Sequence, residues 1–338
     1  MKNLLLFVLL FGVLVSCDRK PEDALHKLNG ETMGTTYQVV YAGDEVADLQ
    51  AGVDSLLAAV NASLSTYIPS STISQINQSA SGALMDGMMR INFLKSAEVW
   101  LKTDGAFDPT VGPLVNAWGF GFQKMGAQVD SALIDSLRQF VGWEKLSISG
   151  DSLLKASAGV VVDFSALAKG FGVDEVGRYL ERRGIKNYIV EIGGELRAAG
   201  KKAAGFSWMA GIEKPLDDAT GTQKVLQFTM PLDDKSMATS GNYRNFYIQD
   251  GRKFAHTIHP KTGYPALSNL LSATVVTADC MTADAYATAC MVMGFDAAKA
   301  LIEREEALEA VLIYSDENGK LQQYISPGLQ KIVIAAKD

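Results

Sequence analysis

Cysteine and histidine are scarce in this chain: its 338 residues hold three of each. Cys280 and Cys290 fall ten apart on a predicted helix, which sets them on nearly opposite faces about 15 Å apart along the axis. That excludes a disulfide between them, so stability has to come from core packing. His256 and His259 have no Cys and no third His beside them, so a zinc centre lacks ligands. Basic excess is missing as well. The net charge is -7, the wrong sign for a nucleic-acid partner, which needs a basic footprint. No apolar run reaches the roughly 20 residues of a membrane span. Internal repeats and low-complexity stretches are absent too.

What stands at the start is Met1-Lys2-Asn3, an apolar run over 4–15 and the tetrapeptide Leu14-Val15-Ser16-Cys17. That order reads as an export signal. Its end resembles the lipobox of bacterial lipoproteins, in which the Cys is lipidated and becomes the mature N-terminus. A plain signal peptide with an incidental Cys is the alternative. The abrupt switch to Asp18-Arg19-Lys20-Pro21-Glu22-Asp23 favours the lipobox. The expected layout is a signal over 1–17 with lipidation at Cys17, a tether over 18–30 that is too polar to fold alone and includes His26, and one domain over 31–338. Such a protein would be exported and lipid-anchored to a bacterial membrane, facing the periplasm. Processing would remove Lys2 and no acid, leaving the chain more acidic still.

Leu49, Val53, Leu56, Leu57, Val60 and Leu64 follow helical spacing and predict a helix over 46–66. Further helices are expected over 90–103, 130–141, 165–183, 282–293 and 296–306. A turn feeding a strand is expected over 31–41, and further strands over 159–164, 187–192 and 271–277. One hairpin is expected across Asp250-Gly251 and another across Asp316-Glu317-Asn318-Gly319. The breaker-rich stretch over 105–113 has to be an ordered loop. Hairpins interspersed with helices argue an α+β fold with mixed and antiparallel sheets flanked by helices, rather than a regular βαβ array.

Within the helix over 282–293, Asp284 and Thr288 share one face. They present hard oxygen donors amid Ala, Met and Val, a poor place for an unpaired carboxylate. A Mg²⁺ seat for a phosphorylated ligand fits that pair. So does a plain helix N-terminus, with Asp279 or Thr282 as cap and Asp284 offsetting the dipole. Asp163 ends a predicted strand just before Ser165-Ala166-Leu167-Ala168-Lys169-Gly170, where Lys169 can reach an anion at the free amides. The competing arrangement makes Asp163 a cap and Lys169 a solvated charge. Gly170 and Gly172 are costly inside a helix and point to close backbone approach. Other fingerprints fail. The segment over 194–202 is one residue too long for a phosphate loop, and Gly170-Phe171-Gly172 lacks the third glycine of a dinucleotide motif. Ser240 lacks the setting of a hydrolase nucleophile.

Taken in order, several segments resemble the FAD:protein FMN transferase family, the ApbE-type flavin-trafficking lipoproteins. They are Met33-Gly34-Thr35, Tyr67, Ala106-Phe107-Asp108, the run over 163–170, Gly193-Gly194-Glu195, Ser240-Gly241-Asn242-Tyr243, the run over 256–263 and Asp284-Ala285-Tyr286-Ala287-Thr288. The resemblance implies a T-fold-like architecture and Mg²⁺-dependent transfer of FMN from FAD to a threonine hydroxyl of a partner protein, with AMP released. It implies metal ligands at the Ala166 carbonyl, Asp284 and Thr288. FAD contacts are implied at Met33, Tyr67, Ala106, Phe107, Asp108, Asp163, Lys169 and the backbone near Ile258. Ala287 stands where some members carry another acid, so the metal site would hold fewer carboxylates and more water. Lys169 would be a second cation on the pyrophosphate, and His256 is the candidate to accept the threonine proton. Acceptors implied by the family are subunits of membrane redox pumps and other exported flavoproteins. An FAD pyrophosphatase and a lipid-anchored flavin-binding protein without turnover are the alternatives.

Overall fold

The structure is a computed structural model that describes residues 24–122, 129–215, 225–242, 246–249, 252–266 and 268–336. The expected signal with its Cys17, the tether as far as residue 23 and the Asp250-Gly251 turn lie outside these residues. The first third runs β1 (Leu25–Thr32), β2 (Thr35–Ala42), α1 (Leu49–Leu64), α2 (Thr72–Gln78), β3 (Gly82–Leu84), α3 (Gly87–Lys102) and α4 (Gly112–Ala117). Then come α5 (Ser131–Arg138), β4 (Leu146–Ser149), β5 (Ser152–Lys155), α6 (Ala168–Arg182), β6 (Asn187–Ile192), β7 (Glu195–Ala199) and β8 (Met209–Glu213). The remainder begins with β9 (Leu226–Pro231), β10 (Ser236–Gly241), β11 (Phe246–Gln249), β12 (Arg252–Ala255) and β13 (Leu270–Thr277). It closes with α7 (Cys280–Met293), α8 (Phe295–Arg304), β14 (Glu309–Ser315), β15 (Leu321–Ile325) and β16 (Ile334–Ala335).

An eight-stranded sheet in the order β1-β2-β6-β7-β10-β13-β14-β15 forms the middle layer. Period-two burial places Tyr37, Val39 and Tyr41 of β2 and Tyr188, Val190 and Ile192 of β6 on the face that α1 and α6 cover. Central β13 is buried on both faces. Its Ala273 and Val275 meet α7, whereas Val276 joins Trp208, Ile212 and Phe228 around a second sheet, β16-β9-β8. Helices, main sheet and small sheet thus make three layers, with α7 innermost and apolar almost all round, as a fully enclosed helix should be. Thr288 is the half-buried exception within Cys280–Ala289.

The α+β reading holds, with corrections. Every strand pairing among the described residues is antiparallel, so the mixed pairing that was also expected does not occur there. Residues 25–30, expected in the tether, form most of β1, where His26 Nε2 donates to the Gly43 carbonyl (3.0 Å) and the ring stacks on Tyr41. The expected strand over 159–164 joins no sheet. Its buried Val162 has instead both backbone groups on one side chain: Asn77 Nδ2 donates to the Val162 carbonyl and Asn77 Oδ1 accepts from the Val162 amide, each at 2.8 Å. The Asp163 amide donates to the Pro109 carbonyl (2.8 Å). Cys280 and Cys290 are free and buried.

Asp86 ties three helices together. It caps α3 through the Met89 amide (2.8 Å) and accepts from Ser63 Oγ of α1 (2.8 Å) and Thr72 Oγ1 of α2 (2.6 Å). Burial by itself would raise its carboxyl, but these donors outweigh burial and hold it below the usual range. A depressed folded pKa stabilises above the unfolded value and loses that contribution as pH falls through the folded one. Asp86→Ala is therefore expected to cost about 1 kcal/mol near neutrality. The Tm gap from wild type, read by calorimetry, should narrow as pH falls below the ordinary Asp value of about 4 and through the depressed folded one. A gap independent of pH would refute this account.

Candidate active site

A groove of ≈ 550 Å³ opens where α6, the middle of α7, the β6–β7 turn, the end of β10 and the edge of β8 converge. Its location is set by two helices that cap each other. Asp174 of α6 is 1% exposed and accepts from the amides of Cys280 (3.0 Å) and Met281 (2.9 Å), the first residues of α7. In return Asp284 Oδ2 of α7 accepts from the Gly170 amide in the first turn of α6 (3.1 Å). Gly170 makes this approach possible: a Cβ there would sit 2.3 Å from the Cys280 carbonyl oxygen. The close contact expected from the two helical glycines is present, and at Gly172 the neighbour is the Met33 methyl group. Asp279 caps α7 through the Thr282 amide (2.9 Å), as the N-terminus reading expected. Asp284 lies beyond that first turn, inside the groove.

Lys169 reaches across the groove floor to Glu195, with its Nζ donating to Oε1. Burial would lower its pKa, but the Asp284 and Glu195 carboxylates outweigh burial and hold it above the usual range, so it stays an ammonium. Burial pushes both Glu195 and Asp284 upward against the pull of Lys169. Two enclosed carboxylates thus share one cation, and Glu195 Oε2 is buried without a hydrogen-bond partner. Asp108, Asp163 and Glu213 also line the groove. Acid therefore outnumbers base among its described residues, and an anionic ligand entering alone would meet repulsion. No three His, Cys, Asp or Glu side chains cluster as a metal cage among the described residues. A Mg²⁺ held by one carboxylate, a hydroxyl, a carbonyl and waters needs no such cage. Thr288 Oγ1 lies 3.3 Å from Ser240 Oγ, one helical turn from Asp284 and on the same wall. An enclosed acid surplus beside hydroxyls fits a hard cation.

The ApbE family model matches residues 33–312. The chain belongs to the ApbE family. Among its relatives, the FAD:protein FMN transferase of Vibrio cholerae is 38% identical, over 95% of this chain and 96% of that one. The FAD:protein FMN transferase of Haemophilus influenzae is 37% identical over 90% of each. A solved structure, the flavin transferase ApbE from Vibrio cholerae, superposes with a TM-score of 0.83 at 36% identity, covering 91% of this chain and 99% of that one.

Against this ApbE frame the sequence-derived residues sort clearly. Tyr67, Ala106, Phe107, Asp108, Asp163, Ala166, Lys169, His256, Ile258, Asp284 and Thr288 all line the one groove. Met33 does not. It occupies a hairpin turn with Gly34, both at positive φ (50° and 72°), and its side chain packs on Gly172 rather than lining the groove. Asp163 is no cap of α6, whose N-cap is Leu167; its Oδ1 accepts from the Ser165 amide (2.8 Å) and hydroxyl (2.5 Å). Asp108 likewise holds the Thr110 amide (2.8 Å) and hydroxyl (2.6 Å) with one oxygen. Tyr67 stands 71% exposed at the rim, whereas Phe107 is 3% exposed and belongs to the core as well. His256 packs edge-on to Phe120. His259 is turned to the Lys261 amide (3.2 Å) and lies outside the groove lining. The reading of Lys169 as a solvated charge is overturned by its pairing with buried Glu195. Glu195 itself was missed as a functional residue. Its signal was an acid directly after Gly193-Gly194, a segment that entered through the family resemblance with no role for the acid.

Proposed function

We propose that this chain transfers FMN from FAD to a threonine hydroxyl of a partner protein and releases AMP. One observation carries the reading: the only ammonium described in an acid-rich groove, Lys169, sits beside Asp284 and Thr288, with room for a dinucleotide alongside. The threonine Oγ attacks the phosphorus on the riboflavin side of the diphosphate. The bond from that phosphorus to the bridging oxygen breaks, the oxygen leaves with its electron pair on AMP, and the threonine proton passes to His256. Lys169 neutralises charge that builds on the phosphates, and Glu195 holds its ammonium in place. Tyr67 and Phe107 offer flat apolar surface to the ring systems. Mg²⁺, which the Ala166 carbonyl, Asp284 and Thr288 would hold, supplies Lewis-acid neutralisation of the diphosphate when bound. A lipid anchor at Cys17 would place the groove on the periplasmic side of a bacterial membrane, beside acceptors such as subunits of membrane redox complexes.

Incubating purified protein with FAD and Mg²⁺, with and without a threonine-bearing acceptor domain, tests this. Mass gained by the acceptor is the expected result. Free FMN and AMP alone would mark a pyrophosphatase, and no conversion a flavin-binding protein. His256→Gln is expected to lower the transfer rate by about a hundredfold or more. Wild-type turnover in that variant would remove His256 from the proton step.

A further inference from the structure

We propose that the acceptor polypeptide docks as an added strand on the open edge of β8, which delivers its hydroxyl along the groove; this deepens the transfer reading above and rests on it. In the sheet β16-β9-β8, β8 has β9 on one side and no strand on the other among the described residues. Its register against β9 runs Met209↔Pro231, Ala210↔Met230, Gly211↔Thr229 and Ile212↔Phe228. Just ahead of it, the Trp208 carbonyl accepts from the Leu232 amide (2.8 Å), which makes that pair a hydrogen-bonded one. Such pairs alternate along an antiparallel ladder. Ala210 and Ile212 therefore turn their amides and carbonyls toward β9, while Met209 and Gly211 turn theirs outward.

The outward edge runs beside the reaction site, because Gly211 and Glu213 line the same groove as Lys169 and Asp284 while Met209 lies outside that lining. Side chains agree with this placement. Ala210 and Ile212 are buried against the main sheet, whereas Met209 is 45% exposed and Gly211 is exposed. Edge strands are ordinarily blunted by lysine, proline or a mid-strand bulge. Met-Ala-Gly-Ile-Glu over 209–213 has neither residue, and its only irregularity comes at the far end, between Ile212 and Glu213. Outward backbone donors and acceptors beside a catalytic groove, with no strand on them among the described residues, match one kind of partner best: an extended peptide segment, read mainly through its main chain. A strand laid there points alternate side chains to one face, so a threonine in the right register enters the groove while its neighbours stay outside.

Two measurements test the docking. Hydrogen exchange on the full wild-type protein, with and without an acceptor domain whose target threonine is replaced by alanine, should show the Met209 and Gly211 amides slowed about tenfold or more by the acceptor. Met209→Pro removes one outward donor at a position where an edge strand tolerates proline. It should raise the acceptor KM about tenfold, the factor expected from one lost main-chain bond, and leave the KM for FAD unchanged. Unprotected amides in wild type, or an unchanged acceptor KM in folded Met209→Pro, would overturn the proposal. Protection that grows with the concentration of this protein alone would assign the edge to a second copy, and would overturn it equally. If Met209→Pro fails to fold, the exchange result on wild type decides. Absence of any acceptor modification by wild type is a separate outcome, which sinks the transfer reading itself.

Discussion

Replacing Asp284 with asparagine is expected to slow FMN transfer by about two to three orders of magnitude while leaving the protein folded. Asparagine keeps the shape of the side chain and an oxygen for the Gly170 amide, so the joint between α6 and α7 survives. What it removes is the charge in a fully enclosed place, and neutralising a carboxylate there relieves a desolvation cost. The Tm should therefore hold or rise slightly even as turnover collapses. Asp284→Ala is the contrast. It strands the Gly170 amide as well and should cost a further 1–3 kcal/mol or so of stability. Wild-type kcat in Asp284→Asn would exclude the carboxylate from the chemistry.

The second large effect concerns a residue that touches no substrate. Asn77→Ala is expected to destabilise the protein by about 3 kcal/mol, because it strands two buried backbone groups of Val162 at once. Denaturant unfolding should show a lower midpoint at unchanged slope. FAD affinity should fall with it, since the segment that hangs on Asn77 continues directly into Asp163 and Ala166 at the groove. Asn77→Asp separates the two bonds: it retains an acceptor for the Val162 amide but sets a carboxylate against the Val162 carbonyl. A loss below about 1 kcal/mol in Asn77→Ala would mean that water replaces the amide.

Much of the fold was legible where local pattern and final environment agree. The hairpins, the helix carrying Asp284 and Thr288, and the cost of Gly170 and Gly172 all came from spacing and backbone chemistry. Misreadings arose where burial is decided by distant chain. Val160-Val161-Val162 has the composition of a core strand, and nothing in it signals that one asparagine far earlier in sequence would replace a neighbouring strand. β10 failed in the opposite sense: Ser236-Met237-Ala238-Thr239-Ser240-Gly241 has little strand character, yet Ser236, Met237 and Ala238 are buried in the main sheet, where α7 also packs. β1 was hidden by its polarity, which suits an edge strand better than a tether. Asp174 and Glu195 carry no local signal of their burial, because their partners lie on other elements.

Mutual capping by Asp174 and Asp284 has an evolutionary consequence. Each helix holds the anion that its neighbour's positive end demands, so neither can slide or rotate without stripping both termini. The pair is a fixed bracket, indifferent to which protein presents the hydroxyl. Divergence in client choice should then accumulate at the rim, along β8 and around Tyr67, while the bracket's geometry stays constant from one relative to the next.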